Sequence, residues 1–188
     1  MWSICKNATI AVGMREMAEH LDELDRPTLL EGPLTDVEEL VRTADEAMQF
    51  ELIVGRDAIG SIERKSEVVR AMRRLTVPSA RVALVETVRA RAQRLYELVD
   101  IDEHLGDDLA GRIRAAEEAI YEDAENPLVN WDGDDFVQLL SDVGFAATCR
   151  LQTFTSRRRI TQRQVEHWFT SGGAKLKSAK GGKSASQT

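Results

Sequence analysis

The side chains best suited to metal binding or nucleophilic catalysis are few and widely separated. The chain has two cysteines, Cys5 and Cys149, and three histidines, His20, His104 and His167. No two of them have the short spacing typical of zinc ligands, so the sequence predicts no metal site. Two isolated thiols are typical of buried free cysteines in a reducing compartment, and we expect a cytoplasmic protein.

A glycine-rich segment near the end of the chain, residues 181–184, is similar to the last part of a phosphate-binding loop. Such a loop needs its first glycine where Lys177 stands, and it needs a strand before it and a helix after it. The sequence predicts none of these, so we exclude a nucleotide-binding loop. Residues 171–188 are mainly Gly, Ala, Ser and Lys, a composition that predicts a disordered tail.

The charge of the chain argues against direct nucleic-acid binding. The net charge is −7, although the tail carries Lys175, Lys177, Lys180 and Lys183 and no acid. The body of the protein is therefore still more acidic, and it repels phosphate backbones. Apolar residues make up 43% of the chain, but no apolar run approaches the roughly 20 residues that a membrane-spanning helix needs. We expect no membrane partner.

Short apolar runs alternate with helical patterns over the first half of the chain. The runs predict strands at residues 2–5, 27–30, 50–54 and 81–85. Between the second and third runs, a Thr-x-x-Glu phrase at residues 35–38 predicts a capping box at the start of a helix. Strands alternating with helices are typical of βαβ units, whose parallel sheet is buried on both faces. The predicted fold class is α/β.

The second half of the chain is predicted to be mainly helical. Residues 87–123 have an almost continuous helical pattern with a break near Gly106, and Asn126–Pro127 ends it because the residue before proline avoids helical geometry. Three aspartates within residues 132–135 predict the first turn of another helix, where acids favour the helix dipole. Gly144 is a plausible terminating residue for that helix.

Two further elements are predicted near the end of the body. Apolar and polar residues alternate over 147–153, which predicts a late, partly exposed strand. Thr161 and Gln164 form a capping-box phrase and predict one more helix. For the large aromatic residues Tyr121 and Trp131 we expect a role in packing rather than in stacking against a substrate.

The order of these elements, with several local phrases, resembles a class I S-adenosylmethionine-dependent methyltransferase from its second strand onward. Residues 50–59, Phe-Glu-Leu-Ile-Val-Gly-Arg-Asp-Ala-Ile, look like the family's fourth strand and following turn. Residues 65–86 look like its helix, Pro-Gly-Gly turn and fifth strand, although the turn at 78–80 is Pro-Ser-Ala. Asp-Val-Gly-Phe at 142–145 matches the phrase before the family's late strand. The resemblance implies a Rossmann-like methyltransferase sheet over residues 1–170, mostly parallel with one late antiparallel strand.

Longer phrases are similar to a bacterial subgroup found fused to, or beside, AAA-type ATPases of the replication-associated recombination protein A kind. They lie at residues 116–121, 126–132 and 159–169. This resemblance implies an AAA-type ATPase as partner. It also implies an alternative function, a non-catalytic interaction module in DNA replication or recombination.

The methyltransferase resemblance implies that S-adenosylmethionine contacts three loops beyond the carboxyl ends of the strands, where open α/β sheets bind their ligands. The implied cofactor contacts are Lys6, Glu31, Gly32, Pro33, Leu34, Gly55 and Arg56. Asp57, beside the methyl-donor end, is the one catalytic candidate. Each also has a plain structural interpretation: Glu31 as a solvated loop acid, Gly32–Pro33 as a turn, and Arg56–Asp57 as a local ion pair.

Two departures from the family predict weak or absent activity. The family places an acid where Lys6 stands, because a carboxylate accepts two hydrogen bonds from ribose. Its first strand and Gly-x-Gly-x-Gly turn, which bring backbone N–H groups against the cofactor, have no counterpart before Trp2. We therefore expect an N-terminally incomplete sheet that is weak or inactive alone. Its open edges predict self-association or marginal stability.

Overall fold

The computed structural model of the chain describes residues 1–98, 100–155 and 161–163. It divides the chain into two units, Met1–Leu151 and Gln152–Thr188. The first unit contains the strands and helices described below. The tail predicted at 171–188, the boundary predicted at residue 170 and most of the helix predicted after Thr161 lie outside the described residues.

Strands and helices alternate through the first half of this unit, and helices follow. The strands are β1 (Trp2–Cys5), β2 (Thr28–Glu31), β3 (Phe50–Arg56) and β4 (Thr76–Val85). The helices between them are α1 (Ala8–Ala18), α2 (Val37–Ala44) and α3 (Lys65–Arg74), and those after β4 are α4 (Ile101–His104), α5 (Asp107–Tyr121) and α6 (Gly133–Ser141). The predicted α/β class is confirmed. No helix in the described part of the chain is long and apolar enough to cross a membrane.

The strands form two parallel pairs. β1 pairs with β2 in a register that sets Trp2 opposite Thr28, and β3 pairs with β4 in a register that sets Ile53 opposite Val82. Within the described residues, no ladder joins one pair to the other. Both pairs are parallel, as the alternation predicted, but they do not form one continuous hydrogen-bonded sheet.

β4 begins earlier than the sequence predicted and contains an irregularity. Phe50 lies opposite Thr76 and Leu52 opposite Arg81, so β4 advances five residues while β3 advances two. The extra residues include the Pro-Ser-Ala segment at 78–80, which was expected to be a turn before the strand. Proline has no N–H to donate to a ladder, and a bulge is where a strand tolerates it.

A common helical layer covers one side of both strand pairs. Its centre is a buried cluster formed by Val37, Val41, Ala71 and Leu75, which come from α2, α3 and the residue after α3. Ile4 and Leu30 from the first pair pack against this cluster, and so does Phe50 from the second. A second cluster covers the rest of β3 and β4 and consists of Ile59, Val68, Val69, Met72, Trp131 and Phe136.

α1 covers the other side of the first pair. The Ser3 hydroxyl and the Cys5 thiol both donate to the sulfur of Met14 in α1, whereas Ile4 faces the α2–α3 cluster. Alternate residues of β1 therefore point to opposite sides, as in any strand. Cys5 is fully buried, which confirms the packing interpretation of this thiol, and Cys149 is exposed, which contradicts it there.

Side-chain caps mark the starts of α1 and α6. The Asn7 carboxamide accepts from the N–H of Ile10 at the start of α1. Asp132 and Asp135 form a capping box at the start of α6, which confirms the predicted acidic first turn. Gly144, with φ of 90°, follows the end of α6 as predicted, because a left-handed residue there favours glycine.

The capping box predicted at Thr35 and Glu38 is wrong. α2 has Asp36 at its N-cap position and no side-chain cap. Glu38 instead forms an ion pair with Arg74 at the end of α3, with the two atoms 2.6 Å apart. A guanidinium offers a carboxylate stronger, charge-assisted hydrogen bonds than a backbone N–H does, so the tertiary contact takes precedence.

Two predictions for the second half need correction. Residues 87–98 are not part of a long helix, because short 3₁₀ turns at Arg89–Arg91 and Leu95–Glu97 precede α4. The predicted break at Gly106 is confirmed. The late antiparallel strand predicted at 147–153 is wrong, since residues 145–155 form no ladder with any described strand. Alternation specifies two faces, but a strand also needs a partner edge.

Candidate functional site

The residues implied as cofactor contacts all lie at the carboxyl ends of strands. Lys6 directly follows β1, Glu31 ends β2, and Arg56 ends β3. The first two ends are adjacent, because the Gly32 N–H donates to the Cys5 carbonyl at 3.0 Å. Leu34, beyond β2, packs against both core clusters and so links the two strand pairs near this edge.

The end of β1 offers little to a ribose or phosphate group. Lys6 is exposed, and the Asn7 carboxamide is engaged in capping α1. Gly32 has a packing role: a Cβ at this position would lie 2.8 Å from Cδ1 of Leu40 in α2. A side chain at this position would therefore have to displace the end of Leu40, whatever binds nearby.

Asp57 occupies a conformation that its own side chain stabilises. Its φ of 46° is in the left-handed region, where Asp is tolerated better than most residues. One carboxylate oxygen accepts from the Thr87 hydroxyl at 2.7 Å and from the Thr87 N–H at 3.1 Å. The other oxygen lies 3.8 Å from Nε of Arg56, a loose ion pair in which the Arg56 side chain is 86% exposed.

These contacts also set the ionisation of Asp57. The hydrogen bond from the Thr87 hydroxyl lowers the pKa of Asp57 below its ordinary value, and partial desolvation opposes it. A general base works best with a pKa near the working pH, so a lowered pKa makes Asp57 a weak base. The catalytic role suggested by the sequence stays a prediction, whereas the local ion pair with Arg56 is present.

Glu86, a residue that no sequence motif singled out, organises the loop after β3. Its carboxylate directly follows β4 and accepts from the N–H groups of Ala58, Ile59 and Gly60, at 2.9 to 3.0 Å. Three successive N–H groups converging on one point form an anion-binding nest. Here the protein's own carboxylate fills the nest. The one sequence signal was an acid placed immediately after a predicted strand.

The same loop is fixed from a second direction. The indole N–H of Trp131 donates to the Gly60 carbonyl at 2.8 Å, and Trp131 is 7% exposed. The Lys65 ammonium donates to the carbonyls of Ile62 and Pro127, each at 2.9 Å. Burial lowers the pKa of Lys65, and the nearby Glu86 charge opposes that shift. The loop is therefore bound to β4 on one side and to the segment before α6 on the other.

Residues in the phrases similar to the ATPase-associated subgroup also have structural roles. Trp131 is buried, as the packing interpretation predicted. The guanidinium of Arg94 lies 3.8 Å from the ring centroid of Tyr121 and pairs with Glu118 at 3.1 Å. The Tyr96 hydroxyl donates to the same carboxylate. The hydrogen bond from Tyr96, and next the one from Arg94, lower the pKa of Glu118, which favours its ionised form. Through these contacts the Glu118 carboxylate holds the 3₁₀ turn at Leu95–Glu97 against α5.

Two cavities in the described residues have linings that include none of the implied cofactor contacts. One, of about 330 Å³, is lined by Arg15, Ala18, Glu19, Arg26, Pro27 and Leu29. The other, of about 110 Å³, is lined by Arg91, Asp132, Gly133, Asp134, Cys149 and Leu151. Within the described residues there is no group of three potential metal ligands.

The described residues at the carboxyl edge do not fit S-adenosylmethionine. The end of β1 presents the cation Lys6 where the resemblance implies an acid for the ribose, and the N–H groups after β3 are already bonded to Glu86. Comparison of the chain with protein families, curated proteins and solved structures finds no match.

Gly60 provides a test of how tightly this loop is packed. A Cβ at Gly60 would lie 2.6 Å from Cζ2 of Trp131 and 2.9 Å from the Glu86 carboxylate. We expect Gly60→Ala to lower the free energy of unfolding by about 1–3 kcal/mol, because a packed core resists added volume. Gly111→Ala, in the open middle of α5, should raise it by about 0.5–1 kcal/mol. Urea unfolding measures both, and equal effects would contradict the packing described.

The Asp57–Thr87 contact predicts a pH dependence. The folded pKa of Asp57 is lowered, so its stabilising contribution is complete above the unfolded pKa and is lost as the pH falls through the folded value. Thr87→Val removes the hydroxyl donor. We expect this variant to lose less stability than the wild type between about pH 5 and pH 2. Thr28→Val, at an exposed strand position, should keep the wild-type slope; an unchanged slope in Thr87→Val would refute the assignment.

Proposed function

We propose that the chain is an S-adenosylmethionine-dependent methyltransferase-like protein that keeps the scaffold but is weak or inactive alone. The support is the sequence resemblance together with two parallel strand pairs under one helical layer. A Rossmann-like methyltransferase sheet with a gap between β1 and β3 accounts for both observations. In such a sheet β1 and β3 would carry unpaired inner edges, which favour self-association.

The main support for weak or absent activity is that the Glu86 carboxylate occupies the N–H nest after β3. Preorganised N–H groups bind an anionic or polar ligand only when they are free to donate. The N–H groups of residues 58–60 donate to Glu86 instead, and Trp131 fixes the same loop through Gly60. Opening the nest would leave the Glu86 carboxylate or three N–H groups without partners, which costs free energy.

Calorimetric titration of the full chain with S-adenosylmethionine tests this proposal. We expect a dissociation constant weaker than about 1 mM, equivalent to a binding free energy of about −4 kcal/mol. Lys6→Glu adds a carboxylate at the end of β1 and should bind more tightly than the wild type. Lys175→Glu makes the same charge change in the tail and should not. Submicromolar binding by the wild-type chain would show that the cofactor site is intact.

A second candidate function is an interaction module that partners an AAA-type ATPase. One structural observation favours it: α5 carries Leu109 and Ile120, 44% and 59% exposed, about three helical turns apart and therefore on one face. This helix contains one of the phrases similar to the ATPase-associated subgroup. An exposed apolar stripe on a helix is a common docking element.

A single substitution on α5 separates the second function from the first. Ile120→Asp should abolish co-elution of the chain with the AAA-type ATPase of the same organism in size-exclusion chromatography, because a charge in a desolvated interface is costly. Leu24→Asp, at a position 98% exposed in the turn before β2, is the matched control and should not change co-elution. Co-elution that survives Ile120→Asp would exclude α5 as the contact surface.

A further inference from the structure

Within the described residues, the second strand pair is covered on one side and open on the other. Ile53, Val82 and Leu84 pack into the cluster beneath α3. Leu52, Val54 and Val85, which alternate with them along the strands, are 57%, 72% and 68% exposed. An apolar sheet face of this kind is a marker of an interaction surface.

The first strand pair provides the comparison. Its β1 strand has Ile4 against the α2–α3 layer, and Ser3 and Cys5 against α1 on the opposite side. Parallel strands are normally covered on both faces, most often by helices. Within the described residues, β1 and β2 meet that requirement and β3 and β4 do not. The face formed by Leu52, Val54, Ala83 and Val85 is called the open face below.

Arginines lie at both ends of the open face. Arg81 is opposite Leu52 and Arg56 is opposite Val85, so one arginine borders each end of the apolar patch. Both are exposed, and strand alternation places each on the same side as its apolar neighbours. Asp57 offsets Arg56 in part, but that ion pair is loose at 3.8 Å and solvent-exposed, so it stabilises little.

We propose that the open face docks an amphipathic helix of another protein, with an apolar stripe along the strands and acidic residues at each end. Two strands about 5 Å apart present a surface roughly one helix diameter wide. Acidic side chains then meet Arg56 and Arg81. A second copy of this chain is a poorer occupant, because matching open faces would bring arginines against arginines. The proposal does not depend on cofactor binding.

A synthetic helix is the probe. A fluorescent peptide of about 18 residues, with leucines on one face and glutamates beside them, is titrated with the full chain and followed by anisotropy. We expect saturable binding. The double variant Val54→Ser/Val85→Ser should weaken it at least about tenfold, because two buried valines lose their apolar contact. Val12→Ser, on the exposed side of α1, is the control and should bind like the wild type.

A charge exchange tests the arginines. Arg56→Glu/Arg81→Glu should lose affinity for the glutamate peptide and gain affinity for a matched lysine peptide. Circular dichroism confirms that each variant is folded. The proposal is overturned if the wild type binds both peptides equally, or if the valine variants bind as tightly as the wild type. It is also overturned if the valine changes abolish a homodimer in solution, or if the wild type binds phosphatidylserine vesicles and not the peptide.

Discussion

Within the described residues no hydrogen-bond ladder joins the two parallel strand pairs, so contacts between side chains have to hold them together. In the described residues that packing is the cluster of Val37, Val41, Ala71 and Leu75, against which Ile4 and Phe50 lie from opposite pairs. Hydrophobic contact is non-directional, so it fixes proximity without fixing strand register. The α2–α3 layer therefore joins the two strand pairs. It covers one face of each pair and leaves the opposite faces to be covered by other elements.

The carboxyl edge shows how a site can be organised without being open to a ligand. Glu86 fills the nest after β3, and Asp57 turns its carboxylate to Thr87. Each contact satisfies polar groups that would otherwise need water or a ligand. A loop completed in this way is rigid and stable, and stability of that kind commonly opposes catalysis, which uses polar groups left poised for a substrate. These satisfied contacts are the basis for proposing a scaffold that is weak or inactive alone.

The sequence predicts local structure here much better than it predicts contacts. The apolar runs, the acidic start of α6 and the left-handed Gly144 are local signals, and each is confirmed. The capping role predicted for Glu38 is wrong because its actual partner, Arg74, is distant in sequence. The strand predicted at 147–153 is wrong because no partner edge is present among the described residues. No sequence motif reveals the role of Glu86, since its partners lie in a loop more than twenty residues earlier in the chain.

The charge distribution bears on which partners the open face can accept. The chain carries a net charge of −7, which at long range repels an acidic partner. At physiological ionic strength charges more than about 8 Å apart are largely screened, so the local pair Arg56 and Arg81 dominates once a partner is close. Association should then be slow, without electrostatic steering, and its specificity should come from contact. The apolar residues between the arginines provide the free energy, while the arginines set the orientation of the docked helix.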